Sequence, residues 1–184
     1  VRNVMFDIIY EFHFTINSTI FTNDSKIAGR IVDYYGEEVD NRWSNETNKH
    51  FETKTGCFLE QYANYTTRNG KKMNVNKTHS HDKADNLGYE LAYLAYQSWV
   101  KDNGREPMLP GLKYTQNQLF WISAASVFCA KMSLDSEINY VNESVDSLPQ
   151  FRVIGSMSNI PEFSKDFNCP PNSAMNPREK CRVF

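Results

Sequence analysis

The sequence predicts a mainly α-helical, disulfide-stabilised protein with few short strands. Three observations carry that expectation. Apolar residues recur at spacings of three and four rather than two, and strand-like runs are scarce. The four cysteines, Cys57, Cys129, Cys169 and Cys181, form no C-x-x-C pair and match no zinc-finger spacing, so structural disulfides fit them better than metal. At 184 residues the chain is long enough for one ordinary domain and too short for two large ones, and 40% hydrophobic with 14% aromatic residues argue against disorder.

The elements follow in order. Ile31, Tyr35, Val39 and Trp43 recur every four residues and predict a surface helix whose polar side carries Asp33, Glu37, Glu38 and Asp40. Asn64 to His81 is polar, contains Asn69-Gly70 and lacks an apolar period, so it reads as an exposed loop or hairpin. From Ala84 to Val100, leucine, alanine and tyrosine stripes leave no polar side, which predicts a mostly buried helix. Asn103-Gly104 stops it, and Pro107 and Pro110 prevent its continuation. Thr115-Gln116-Asn117-Gln118 is a capping box ahead of a helix from Leu119 to Lys131, with Phe120, Ala124, Val127 and Phe128 on its packed side. Pro161-Glu162 opens a last helix that sets Phe163 and Phe167 at i and i+4, and the tail after Cys169 is irregular.

Charge and patterning narrow the partners. A net charge of -2 and the absence of basic runs interleaved with aromatics exclude a nucleic-acid surface. The apolar opening, Val4 to Phe21, is broken by Asp7, Glu11, His13 and Asn17, so it is neither a membrane span nor a signal-peptide core, and a start at Val1 suggests that an upstream piece has been removed. Asn-x-Ser/Thr sequons occur at Asn17, Asn23, Asn45, Asn64, Asn76 and Asn142, where the composition predicts roughly 2.6. That excess favours a secreted glycoprotein or an extracellular face, with an Asn-rich cytosolic chain as the alternative.

Several stretches, in order and spacing, resemble the C-terminal catalytic lobe of the neprilysin and endothelin-converting-enzyme family of zinc metallopeptidases. They are Ala84-Asp85-Asn86, Leu91-Ala92-Tyr93 to Tyr96, Leu109-Pro110-Gly111-Leu112, Gln118-Leu119-Phe120, Phe151-Arg152-Val153-Ile154-Gly155, Glu162-Phe163-Ser164, and Met175-Asn176-Pro177 with the terminal Cys181-Arg182-Val183-Phe184. The resemblance covers 84–184, with 1–83 divergent. It implies a single lobe, the C-terminal part of a thermolysin-like catalytic lobe, that packs on an N-terminal lobe outside this chain.

The family cuts peptides with zinc held by both histidines of H-E-x-x-H and by a glutamate on a later helix, with water as the fourth ligand. Histidines at i and i+4 share a helix face, and the Glu between them deprotonates a water whose pKa zinc lowers to about 7. At the corresponding place stands Tyr10-Glu11-Phe12-His13-Phe14, in which Glu11 aligns with the base while Tyr10 and Phe14 replace the histidines. The later E-x-x-A-D pattern reads His81-Asp82-Lys83-Ala84-Asp85, so Asp85 remains and His81 replaces the ligand Glu. The family's oxyanion-donating His, six residues before the substrate-binding Arg152, is Asp146, and losing one such donor alone costs about 10²–10³ in rate.

Bland readings stand beside these: Glu11 as a solvated helix residue, His79 and His81 with Asp82 as an exposed polar turn rather than a metal loop, and Arg152 as a structural ion-pair partner of an acidic neighbour such as Asp146 rather than a peptide clamp. The resemblance also implies a Cys57–Cys181 disulfide. It implies that Cys129 and Cys169 bond to cysteines far upstream, which leaves them either to bond to each other or to tether this chain to a separate polypeptide carrying the N-terminal lobe. The function that follows is a catalytically inactive, neprilysin-like glycoprotein subunit for binding or scaffolding, with peptides as the candidate ligands and no cofactor. The alternatives are a subunit of an active zinc endopeptidase whose H-E-x-x-H comes from a partner chain, with His81 as third ligand, and a purely structural or storage protein.

Overall fold

A computed structural model describes residue 40 and residues 43–183. All of the predicted Ile31–Trp43 helix except Asp40 and Trp43, the Tyr10–Phe14 segment with Glu11, and the sequons at Asn17 and Asn23 lie outside the described residues.

The first helix, α1 (Asn45–Ala63), starts where the Ser44 hydroxyl accepts from the Thr47 N–H at 3.1 Å. Phe51, Thr55, Phe58 and Tyr62 repeat at helical spacing along its buried side. A loop closed by an isolated Thr66–Lys72 bridge follows, with Gly70 at φ 83° turning the chain. The expected hairpin is thus present over 64–74.

The spine, α2 (Val75–Asn103), begins nine residues before the predicted Ala84, a correction to the exposed-loop reading of 75–81. Its first turns lack an apolar period because what they bury is polar. Thr78 donates to Asp82 Oδ2 at 2.8 Å one turn on, both residues being buried, and Lys83 lies with its ammonium 5.8 Å from the Phe51 ring centre. Farther along, Tyr89, Ala92, Tyr93 and Tyr96 are buried as expected, but Leu91 and Leu94 face solvent, so the helix is not covered on every side. Gly104 ends it at φ 83°.

Next, α3 (Gln116–Ser126) carries both halves of the predicted capping box: Thr115 Oγ1 accepts from the Gln118 N–H at 3.2 Å, and Gln118 Oε1 accepts from the Thr115 N–H at 3.0 Å. It stops five residues short of Lys131. Phe120 and Ala124 are buried and Phe128 packs against the core, whereas Val127 is exposed. Two helices that the sequence reading left unassigned come next: α4 (Leu134–Glu143), capped by Ser133, and α5 (Pro149–Asn159), with proline in its first turn. The short α6 (Pro161–Asp166) follows at the predicted Pro161, with the Phe163 and Phe167 rings 5.0 Å apart. In place of the few short strands, the described residues hold isolated bridges.

Both α1 and α5 pack on α2, and three apolar clusters hold the arrangement. Tyr93, Tyr96, Phe120, Trp121, Met157 and Ile160 join α2, α3 and α5. Phe51, Phe58, Tyr62 and Leu87 enclose Cys181 and Val183 from the tail, and Met73, Val141, Leu148 and Phe151 close the end of the hairpin. A fully buried aromatic of this kind contributes about 1.5–3 kcal/mol of transfer free energy. Close approach of α1 to α5 requires Gly155, since a Cβ there would sit 2.4 Å from the Tyr62 ring. Cys57 and Cys181 form the expected disulfide, with Cα atoms 5.5 Å apart, while Cys129 and Cys169 are free thiols.

Candidate functional site

The α2–α5 contact brings together the positions that the sequence singles out over 81–152. One turn of α2 places His81 and Asp85 at i and i+4 on one face. Opposite them, the link between α4 and α5 supplies Asp146, and the first turns of α5 supply Arg152. Phe128, just beyond α3, lies under the guanidinium at 4.5 Å.

These side chains satisfy one another. Arg152 Nε donates to Asp85 Oδ2 at 2.6 Å and Nη2 to Oδ1 at 2.7 Å, a bidentate pair in which Asp85 is fully buried and Arg152 is 16% exposed. A third guanidinium nitrogen lies 3.4 Å from Asp146 Oδ1. His81 Nδ1 lies 2.9 Å from the same Asp146 oxygen. The exposed-turn reading of His81 is therefore corrected: it is a helical residue, largely covered and held against Asp146. The structural reading of Arg152 gains a different first partner, Asp85 rather than Asp146.

Burial alone would lower the Arg152 pKa, but the Asp85 hydrogen bonds and charge outweigh it and hold the group firmly protonated. Its bond to Asp146 raises the His81 pKa despite partial burial, and the reciprocal bond keeps Asp146 below the usual carboxylate range. Asp82, buried one residue away, is pushed up to about 7 by desolvation.

The donors that the implied zinc would need are already committed. Both oxygens of Asp85 are taken by Arg152, and Asp146 is shared between His81 and Arg152. Among the described residues no three His, Cys, Asp or Glu side chains converge as a metal-holding group. Zinc does not fit the described cluster.

The pKa shifts fix the sign of a pH dependence. The raised His81 pKa gives stability that is complete below its unfolded value of about 6.5 and lost as pH rises through the folded value. Asp82 acts in the same direction: the folded state retains a proton that the unfolded chain releases near 4, so stability falls from there to about 7. The lowered pKa of Asp146 removes stability only on further acidification, as its carboxylate protonates. The melting temperature is expected to be several degrees higher near pH 5.5 than near pH 8, and Asp82→Asn to remove part of that slope. Calorimetric scans across that range check it, and a melting temperature rising toward pH 8 would contradict it.

Two members of this neighbourhood have roles that local patterning does not reveal. Phe128 packs against the core as its spacing predicts, and it also faces the Arg152 guanidinium. Asp82 reads as loop polarity in sequence, and its burial depends on α2 starting at Val75. The sequon residues Asn45, Asn64, Asn76 and Asn142 are exposed. No described helix is long and apolar enough to cross a membrane.

Residues 26–183 match peptidase family M13. The Tyr10–Phe14 segment precedes that span. Among similar proteins, neprilysin-2 of Drosophila melanogaster is 42% identical over 157 residues, covering 85% of this chain and 20% of the relative. Endothelin-converting enzyme 1 of Bos taurus is 46% identical over 142 residues, covering 77% and 19%. The chain thus spans about a fifth of the length of these curated relatives. A solved structure of the Haemonchus galactose-containing glycoprotein complex superposes with a TM-score of 0.84 at 28% identity, over 98% of this chain and 30% of that one. A Mycobacterium tuberculosis zinc metalloprotease in complex with an inhibitor gives 0.85 at 22% identity, over 98% and 28%, a likeness of fold.

Proposed function

Because this chain belongs to peptidase family M13, we propose that it serves as a catalytically silent, N-glycosylated, neprilysin-like lobe on the extracellular side, one that binds or scaffolds peptides instead of cutting them. The observation that carries the reading is the His81–Asp146 pair: at the two positions where the resemblance implies a zinc-ligating Glu and an oxyanion-donating His, this chain has a base and an acid that neutralise each other. Peptide hydrolysis by this route needs a polarised water, and the sequence contains no pair of histidines four residues apart to hold the metal.

The partner in this reading is an N-terminal neprilysin-like lobe. Exposed Leu91, Leu94, Met108, Leu109 and Leu112 offer apolar area for it, and the free thiols Cys129 and Cys169 would tether it by disulfides. Exposure of all four described sequon asparagines supports the glycoprotein assignment, since oligosaccharides need solvent.

A secreted preparation tests these statements together. Elemental analysis after incubation with zinc, cleavage of a quenched-fluorescent peptide, and electrophoresis with and without reductant should give substoichiometric metal, no cleavage, and a larger species that collapses on reduction. Stoichiometric zinc with cleavage would overturn the silent-lobe reading in favour of an active subunit completed by a partner chain. A lone glycosylated 21.4 kDa species under both gel conditions would remove the tether.

A further inference from the structure

Beyond the α2–α5 cluster, the protein has a cleft of about 230 Å³ between the hairpin, the segment after α3 and the start of α5. It shares two chain segments with the cluster: Phe128 leads directly into Ala130–Met132, and Gln150 precedes Arg152 by two residues. Met132 and Leu148 supply apolar wall. Glu137 is the carboxylate of the lining, and both of its oxygens are already occupied: Oε1 accepts from the Arg68 backbone N–H at 3.0 Å and Oε2 from Arg68 Nε at 2.7 Å. Those bonds hold Glu137 ionised, its pKa lowered first by the Arg68 side chain.

Arg68 is locked in place by this pairing and by Nη2 donating to the Met132 carbonyl at 2.7 Å, which leaves Nη1 uncommitted among the described residues. Lys131 is exposed on the same cleft and forms no ion pair among the described residues. With Glu137 cancelled by Arg68, the site has one uncompensated positive charge, two free cationic donors and an apolar wall. Its volume is below the range of drug-sized pockets and suits one residue rather than a long segment.

We propose that this cleft binds the C-terminal residue of a peptide, an apolar side chain resting on Met132 and Leu148 and the free α-carboxylate meeting Lys131 and Arg68. The idea deepens the peptide-binding part of the function proposed above and rests on it. An α-carboxylate is the matching group because it brings the one negative charge that the lining lacks and attaches it directly to a side chain.

Titration of the full chain with acetyl-Ala-Ala-Leu as the free acid, the same peptide as its C-terminal amide, and N-acetyl-leucine tests it, with calorimetry as readout. The acid is expected to bind saturably and about tenfold more tightly than the amide, and Lys131→Gln, a surface change outside the fold's buried pairs, to bring the acid down to the level of the amide. Tighter binding of the tripeptide than of N-acetyl-leucine supports a peptide ligand; equal affinity would assign the cleft to free organic acids and overturn the peptide identity. Equal binding of acid and amide, absence of saturable binding, or an unaffected Lys131→Gln variant would overturn the site. These outcomes are separable from the zinc and cleavage assay, which does not read the cleft: zinc uptake with intact acid selectivity would sink the silent-lobe reading alone.

Discussion

Replacing Asp85 by alanine is expected to destabilise the protein by about 3–5 kcal/mol, among the largest losses any single substitution here should cause. The reason is desolvation. Arg152 has been taken largely out of water by packing on Phe128, and Asp85 is what repays that cost through two hydrogen bonds of 2.6 and 2.7 Å. Removing the carboxylate leaves an arginine that cannot discharge itself, because its pKa lies far above any working pH. Asp146, at 3.4 Å and already engaged by His81, offers partial compensation only.

The companion variant Asp85→Ala with Arg152→Met should recover most of the loss, since an apolar side chain of similar length replaces the stranded charge. Chemical denaturation of the two single variants and the double variant measures the coupling. A loss below about 1 kcal/mol for Asp85→Ala would mean that water or Asp146 solvates Arg152 well enough, and the proposed ion-pair core would fall.

The second large effect concerns the disulfide. Joining residues 124 apart, Cys57–Cys181 restricts the unfolded chain strongly, and the chain-entropy relation puts its contribution at about 4–5 kcal/mol. Cys181 is also buried among Phe58, Tyr62, Leu87 and Val183, and its N–H donates to Asn159 Oδ1 at 3.0 Å, so the crosslink closes onto packed structure. The same Asn159 donates to Gln61 Oε1 and Asn86 Oδ1, both at 2.8 Å, which joins the tail to α1 and α2 as well.

Serine at both positions is expected to lower the melting temperature by about 10–20 °C, at some 2–4 °C per kcal/mol for a chain of this size. Wild type scanned in strong reductant should behave in the same way. Unchanged melting in the double variant would show that the polar contacts of Asn159 hold the tail alone, and that the bond contributes little.

Legibility in the sequence followed the kind of interaction. Where local geometry suffices, the reading held: the capping box at Thr115, the glycine stop at 104, the proline start at 161 and the tyrosine stripe of α2 each depend on residues within one or two turns. Where burial is polar, it failed. Val75–Lys83 shows no apolar period, yet Thr78, Asp82 and Lys83 are buried, because hydrogen bonds and an aromatic ring rather than hydrophobic contacts receive them. Helices α4 and α5 escaped for a related reason: each buries few apolar residues over some three turns, too short a window for periodicity to stand out.

The sequence by itself determined that these 184 residues hold no zinc-binding histidine pair of the i, i+4 kind, since none of the four histidines lie four residues apart. Through the family resemblance it also singled out Asp85, Asp146 and Arg152 as site positions, with Asp146 as a structural partner for Arg152. Which charge neutralises which was decided by tertiary structure alone. Asp85 and Arg152 are 67 residues apart and His81 and Asp146 are 65 apart, and attraction falls off with distance through a medium whose polarity depends on burial. Only the packing of α2 against α5 sets those distances and that burial, so only the folded chain gives Asp85 to Arg152 and leaves His81 to Asp146.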